Sequence, residues 1–238
     1  MTTSYTAPSR HFIRKAFDSI SSRYDLLNRI LSFNAADRWR RQARDVLDGM
    51  QLLSGGAILD IGVGTGDFLK EFLTSGSWKV AAGLDFSSAM LERARGKLPP
   101  AVNFVSADFH DLPFRDAGFD LVISGFTLRS VQNMQQFLRG IYRIVRPEGA
   151  VALLDLTRPV NFWHKVFFFP YLKFCLPLIG GLVSGDFAAY RFLSESVGNF
   201  QAPSATVTLM KEAGFKECST KSFSFGAVTL IIGRKDGT

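Results

Sequence analysis

The sequence predicts an α/β domain of the Rossmann-like, doubly wound type: a mostly parallel seven-stranded sheet with a C-terminal antiparallel hairpin, N-terminal helices and a helical lid insertion. Three observations predict it. Short apolar runs alternate with helix-period segments from residue 57 to residue 155. The first run enters a glycine-rich turn, Ile58-Leu59-Asp60-Ile61-Gly62-Val63-Gly64-Thr65-Gly66-Asp67, and the second ends on Leu84-Asp85. Residues 217–234 then read as strand, turn and strand.

Taken in order, residues 11–50 carry helical periodicity through Phe12, Ala16 and Ile20, then Leu26, Leu27, Ile30 and Leu31, which places helices ahead of the first strand. Strands are expected near 57–61, 79–84, 102–105, 119–124 and 150–155, and helices near 67–74, 87–97, 134–145 and 205–213. Ser87 is a natural N-cap for the second core helix, and Gly214 a natural stop after Ala213. Residues 1–238 form a single domain: 1–50 the N-terminal helical segment, 51–155 the cofactor-binding core, 156–203 a lid or substrate insertion, 204–238 the last helix and hairpin. In such sheets a ligand lies beyond the carboxyl ends of the strands, and every polar motif falls there.

Composition narrows the function classes. A hydrophobic content of 47% supports a full core. Cys175 and Cys218 lie far apart without metal-like spacing, which favours neutral thiols in a reducing compartment and no metal site. Residues 1–14 lack the apolar run of a signal peptide, so a cytoplasmic protein is expected. The net charge of +7 is uneven, with nine Arg and Lys in residues 10–44. That basic face suits nucleic acid or an anionic membrane surface, or is simply a solvated helical face; aromatic residues do not interleave with the bases, which argues against nucleic acid. Residues 161–183 are the most apolar stretch, but Lys165, Pro170, Lys173 and Pro177 break them below the length of a membrane span. They read as a hydrophobic lid able to touch a membrane surface, or as packing against the sheet or a dimer partner.

The glycine turn points to a nucleoside-bearing cofactor, because glycine lets the backbone turn tightly and approach a ligand, and an acid some 20 residues on can hold ribose hydroxyls. A structural β-to-α turn is the plainer alternative. The glycines alternate as G-x-G-x-G rather than G-x-G-x-x-G. Asp67 then sits where a pyrophosphate would bind the helix N-terminus, and its charge would repel one. A cationic cofactor fits better, and the turn resembles motif I of the class I S-adenosylmethionine-dependent methyltransferases. Asp85 and Phe86 end the second strand. In Ser106-Ala107-Asp108-Phe109 the acid can accept from an adenine amino group and the ring can cover the base. Residues 124–129 would floor the methionine moiety, with Gly125 leaving room.

The stretch Phe17-Asp18-Ser19-Ile20-Ser21-Ser22-Arg23-Tyr24-Asp25-Leu26-Leu27-Asn28, continuing to Trp39-Arg40, resembles the N-terminal signature of the ubiquinone/menaquinone biosynthesis C-methyltransferase family. Leu112-Pro113-Phe114, Tyr142-Arg143, Arg146-Pro147, Gly185-Asp186 and Ala189-Tyr190-Arg191-Phe192-Leu193 extend the resemblance over almost the whole chain. It implies methyl transfer from S-adenosylmethionine, released as S-adenosylhomocysteine, to a ring carbon of a polyprenylated quinol: demethylmenaquinol, a ubiquinol precursor, or both. No metal is implied. By matching position it implies cofactor contacts at Thr65, Asp85, Asp108, Phe109 and Gly125, around a turn of Asp60, Gly62, Gly64, Gly66 and Asp67. Two departures bear on the acceptor ring: the family's Gly-Leu-Arg-Asn-Val reads Thr127-Leu128-Arg129-Ser130-Val131 here, and Phe200-Gln201-Ala202-Pro203 replaces a Phe-Pro-type turn.

The chemistry needs a base for a phenolic proton and a charge for the phenolate. His110, Tyr190 and Asp186 are candidates for the base, with His11 and His164 behind them, and Arg129 for the charge, or for a salt bridge. Tyr24, Asn28, Arg129, Asp186 and Tyr190 are expected around the substrate, although Tyr24, Asp25 and Asn28 equally suit capping and packing of the N-terminal helices. The expected partners are the quinol, a membrane surface at the cytoplasmic face of the inner membrane, and a second copy in a homodimer. Another phenolic or lipid acceptor, or a non-catalytic scaffold of a quinone-forming complex, are the rival functions, with a dehydrogenase further off.

Overall fold

The protein is described from a computed structural model, which describes residues 14, 18, 19, 21–53, 55–75, 78–157, 178 and 202–237. One sheet of seven strands organises it, in the order β3-β2-β1-β4-β5-β7-β6. The strands are β1 (Ala57–Ile61), β2 (Val80–Asp85), β3 (Asn103–Ser106), β4 (Phe119–Gly125), β5 (Val145–Leu156), β6 (Lys216–Phe223) and β7 (Val228–Arg234). β1 to β5 pair in parallel, and β7 enters antiparallel between β5 and β6, with Ala152 opposite Ile232. The doubly wound sheet with its C-terminal hairpin is therefore present as the sequence predicts. The expected homodimer, His11, His164, Cys175, Asp186, Tyr190 and the apolar stretch 161–183, apart from Leu178, lie outside what the described residues of one chain report.

Six helices flank the sheet among the described residues: α1 (Tyr24–Ser32), α2 (Ala35–Gly49), α3 (Asp67–Leu73), α4 (Ser88–Lys97), α5 (Met134–Ile144) and α6 (Pro203–Ala213). β1 is buried on both faces, as an interior parallel strand must be, so its side chains alternate between two cores. Ile58 packs with Trp39, Ala43 and Leu47 of α2 and Phe68, Leu69 and Phe72 of α3. Leu59 and Ile61 pack with Phe137, Leu138 and Ile141 of α5 and Met210 of α6. Phe137 is fully buried, and its truncation to alanine should cost about 3–5 kcal/mol.

Local chemistry sets the ends. Ser87 caps α4, its hydroxyl accepting from the Met90 amide at 3.2 Å, and Gly214 ends α6 at φ 114. Two boundaries differ from the expected ones. The helical pattern of residues 11–50 breaks at Phe33 (φ 51) and Asn34 (φ 60), where left-handed backbone turns the chain between α1 and α2. β5 begins at Val145 opposite Phe119, then bulges through Glu148 (φ 63) before Ala150 pairs with Leu121, because Pro147 cannot donate to the ladder.

Candidate active site

The chain winds from β1 outward to β2 and β3 and returns to β4, so a crevice opens where the carboxyl ends of β1 and β4 part. The cleft there holds about 390 Å³ of empty space, its open mouth included. Gly62 and Gly64 of the first turn form one wall, Asp85, Phe86 and Met90 a second, and Gly125, Phe126, Thr127 and Ser130 the floor. Phe109 closes the end beyond β3, and Tyr24 of α1 reaches in from the N-terminal segment.

The glycine turn has the conformation the spacing requires, with φ of 73, 54 and 90 at Gly62, Gly64 and Gly66. A β-carbon on Gly64 would meet no protein atom within 4 Å, so that side of the turn is open to a ligand. Gly125 differs from its expected purpose in one respect. A β-carbon there would come within 2.9 Å of the Phe68 ring, so its missing side chain first of all lets β4 approach α3.

Asp85 is buried at the end of β2, its carboxylate accepting from the Gly64 and Ser87 amides at 2.9 Å each. Burial pushes it up to about 6, against the pull of those amides. Phe86 and Phe109 meet edge to face at 5.5 Å, and Phe109 meets Phe137 at 6.1 Å, which fixes an aromatic slot beside the acid. Asp60 lies behind the turn on β1, buried, with no hydrogen bond of ordinary geometry to either carboxylate oxygen and only a lesser pull from the Leu69 amide. Burial, with the charge of Asp85 adding to it, holds Asp60 well above the usual carboxylate range. An unsatisfied buried acid beside an open glycine turn fits a cofactor that carries an ammonium and a sulfonium, and does not fit a pyrophosphate.

Thr65 and Asp67 are not among the residues that line the cleft. The Thr65 hydroxyl donates to Asp25 at 2.7 Å and accepts from Lys97 at 3.1 Å, and Lys97 also pairs with Asp25 at 2.5 Å and Asp67 at 2.8 Å. These contacts fasten α1 across the glycine turn. Desolvation raises Asp25, but the hydrogen bonds from Lys97 and Thr65 outweigh it and leave the acid below its ordinary value. Arg40 of α2, itself buried, approaches Asp67 at 3.7 Å and lies over the Phe126 ring at 5.7 Å. The N-terminus of α3 is thus already occupied by a carboxylate and two cations.

Asp108 accepts from the His110 amide at 2.8 Å, and its carboxylate lies 2.7 Å from His110 Nδ1. His110 Nε2 accepts from the Asn133 amide at 3.3 Å. Both ring nitrogens are therefore engaged in joining the β3 loop to the start of α5, a poor situation for a proton acceptor. Arg129 stands on the short turn Leu128–Ser130, just behind the floor. Its Nε donates to Asp155 Oδ1 at 2.7 Å, while Nη1 is buried without a hydrogen bond. Asp155 also accepts from the Leu128 amide at 2.9 Å and the Leu156 amide at 2.7 Å. Asn28 hydrogen-bonds the Tyr24 hydroxyl, and burial, the dominant influence, holds that phenol above its ordinary value and so protonated. Of the expected residues, Tyr24, Gly62, Gly64, Asp85, Phe86, Phe109 and Gly125 line one cleft. No sequence motif marks Met90, which joins it only through the course of α4, whereas Ser130 enters on the turn after β4 from the Thr127-Leu128-Arg129-Ser130-Val131 stretch.

Residues 5–235 match the ubiE/COQ5 methyltransferase family model. The chain is 38% identical over 226 residues to a demethylmenaquinone methyltransferase of Thermotoga maritima, covering 94% of this chain and 96% of the relative. It is 36% identical over 231 residues to a ubiquinone/menaquinone biosynthesis C-methyltransferase UbiE of Geotalea daltonii, covering 94% and 96%. Among solved structures, an S-adenosylmethionine-dependent methyltransferase of Thermotoga maritima, described as a possible histamine N-methyltransferase, superposes with a TM-score of 0.66 at 22% identity, covering 93% of this chain and 99% of that one.

Proposed function

The chain belongs to the ubiE/COQ5 methyltransferase family, and from that premise we propose that it is the S-adenosylmethionine-dependent enzyme that methylates a ring carbon of a polyprenylated quinol in respiratory quinone biosynthesis. One observation carries the acceptor reading. Tyr24, from the N-terminal segment that lies outside the generic cofactor fold, enters the same cleft as Asp85 and the glycine turn.

S-adenosylmethionine supplies a methyl group on a sulfonium and leaves as the neutral thioether. Asp85 would receive the ribose hydroxyls, Phe86 and Phe109 would hold the adenine, and Asp60, kept protonated by burial, would ionise beside the cofactor's ammonium and balance it behind the turn. The quinol loses a phenolic proton, its ring carbon forms the new carbon–carbon bond, and the same carbon then gives up its hydrogen as a second proton. The protonated Tyr24 hydroxyl would donate to the phenolate oxygen, and the charge of Arg129, buried behind the floor, would favour it through space. Asp186 and Tyr190 remain the candidates for the base. The aromatic walls exclude water and hold the flat ring in line with the transferred methyl. Residues 161–183 receive the prenyl tail, and with the basic N-terminal face they bring the enzyme to a membrane surface. Among the described residues no helix is long and apolar enough to cross a membrane.

Methyl-labelled S-adenosylmethionine is supplied with reduced short-tailed demethylmenaquinol or a ubiquinol precursor, and carbon-bound label is followed by mass spectrometry. Label in the naphthoquinol alone is the expected result. Label in both acceptors makes the enzyme dual, and label in neither, with the cofactor bound, overturns the quinol assignment.

A further inference from the structure

We propose that the outer face of α1 docks on an anionic lipid bilayer and so sets the mouth of the cleft against the membrane surface; the purpose of that contact rests on the reading of the acceptor as a lipid-borne quinol.

The helix α1 has two apolar faces. One is spent on the fold: Leu27 is fully buried and Tyr24 lines the cleft. The other carries Leu26, Ile30 and, just past the helix end, Phe33, spaced i, i+4 and i+7 so that they form one stripe. They are 54%, 40% and 79% exposed. A folded domain gains nothing from a second apolar stripe turned to water. Exposed Arg23 and Arg29 flank the stripe on either side, the arrangement in which long basic side chains reach headgroups while the apolar side chains enter the acyl boundary.

A second exposed ring stands at the carboxyl edge of the sheet. Phe33 (φ 51) and Phe225 (φ 56) both occupy left-handed backbone, which a β-carbon strains and a glycine would not. Phe225 is 80% exposed. It sits on the turn Ser224–Gly226, which is tied to α2 because Trp39 Nε1 donates to Ser224 Oγ at 2.8 Å. That turn leads into β7, where Val228 pairs with Leu156 at the carboxyl end of β5, the edge on which the cleft opens. Exposed aromatic rings of this kind suit the boundary between headgroups and acyl chains.

Charge selects the occupant. The chain carries a net +7, and the exposed Arg29, Arg38 and Arg41 form no ion pair among the described residues. A second copy on this face would bring the flanking arginines of both copies together, whereas anionic headgroups neutralise them.

The test is co-sedimentation of the full chain with vesicles of phosphatidylcholine alone or mixed with phosphatidylglycerol. Wild type should bind the anionic vesicles and release them as salt rises. Leu26→Gln/Ile30→Gln should weaken binding about tenfold or more, and Arg29→Gln about fivefold. Both variants should keep the wild-type melting temperature and methylate a short-tailed quinol in solution as wild type does, yet lose activity on a long-tailed quinol held in vesicles. Wild type that ignores anionic vesicles, or a double variant that binds them as tightly as wild type, overturns the proposal. So does a dimer of the wild type that the double variant abolishes, which would assign the stripe to a second copy. Vesicle binding that follows these variants while no quinol is methylated leaves the docking surface standing and removes only the acceptor reading.

Discussion

At the scale of single residues, Asp85 couples the site to pH. Its folded value of about 6 lies above the ordinary 3.8, so between those values the native state holds a proton that the unfolded chain has released. This group therefore favours folding at low pH, and its contribution is lost as pH rises through about 6. Cofactor binding runs the other way, because ribose hydroxyls donate to the carboxylate and not to the acid. Calorimetry should show S-adenosylmethionine binding about tenfold weaker at about pH 5 than at about pH 7.5. Asp85→Asn should weaken it about 10- to 100-fold at the higher pH and flatten the profile; a wild-type affinity that does not change with pH would sink the assignment. Asp155 makes a separate prediction. Asp155→Asn leaves the Arg129 guanidinium buried beside a neutral amide, and urea unfolding should report a loss of about 3 kcal/mol. Replacing the pair together, with Arg129→Met and Asp155→Leu, should return most of that stability while methyl transfer stays lost. Recovery of both would make Arg129 a structural residue only.

At the scale of elements, α1 is a cover fastened by Asp25, Thr65, Lys97 and Asp67. Asp25 titrates below its ordinary 3.8, so its contribution is present above that value and is lost as pH falls through the folded one. Lys97→Met removes the cation common to both acids. Hydrogen exchange of Tyr24–Ser32 should quicken in that variant at neutral pH, and in wild type only below about pH 4. Equal protection in the two proteins at neutral pH would mean that packing of Leu27, not the ion pairs, holds the helix. None of this latch is visible in the sequence, because Asp25 and Thr65 lie 40 positions apart and only the fold brings them together. The strands and helices of the core were legible, since period and caps are local: Ser87 and Gly214 stand where their chemistry places them. The break at Phe33 and Asn34 was not, because phenylalanine carries no left-handed preference and the apolar pattern runs on past it. The site divides in the same way. Gly62, Gly64 and Asp85 declare themselves by spacing, whereas Met90 enters the cleft only through the packing of α4.

At the scale of the whole molecule, the cleft is a junction. Its walls come from α1, from the ends of β1, β2 and β4, and from the loop after β3, so a bound cofactor bridges segments from Tyr24 to Ser130 that the unfolded chain holds apart. A ligand that binds only the native state adds about 2.7 kcal/mol of stability at a hundredfold excess over its dissociation constant. For a domain of this size each kcal/mol moves the midpoint by about 2–4 °C, so saturating S-adenosylmethionine should raise it by about 5–10 °C. S-adenosylhomocysteine should act similarly, because it keeps the ribose, adenine and ammonium that Asp85, Phe109 and Asp60 serve and lacks only the sulfonium charge. NAD at the same concentration should leave the midpoint unchanged, since Asp67 occupies the start of α3 and is itself held by Lys97 and Arg40. In Asp67→Ala that repulsion is gone, but the start of α3 keeps its two cations. A rise with NAD in the variant and not in wild type would show that Asp67 is what excludes a pyrophosphate. A rise with NAD in wild type would overturn the reading of the glycine turn, whatever the quinol experiments gave.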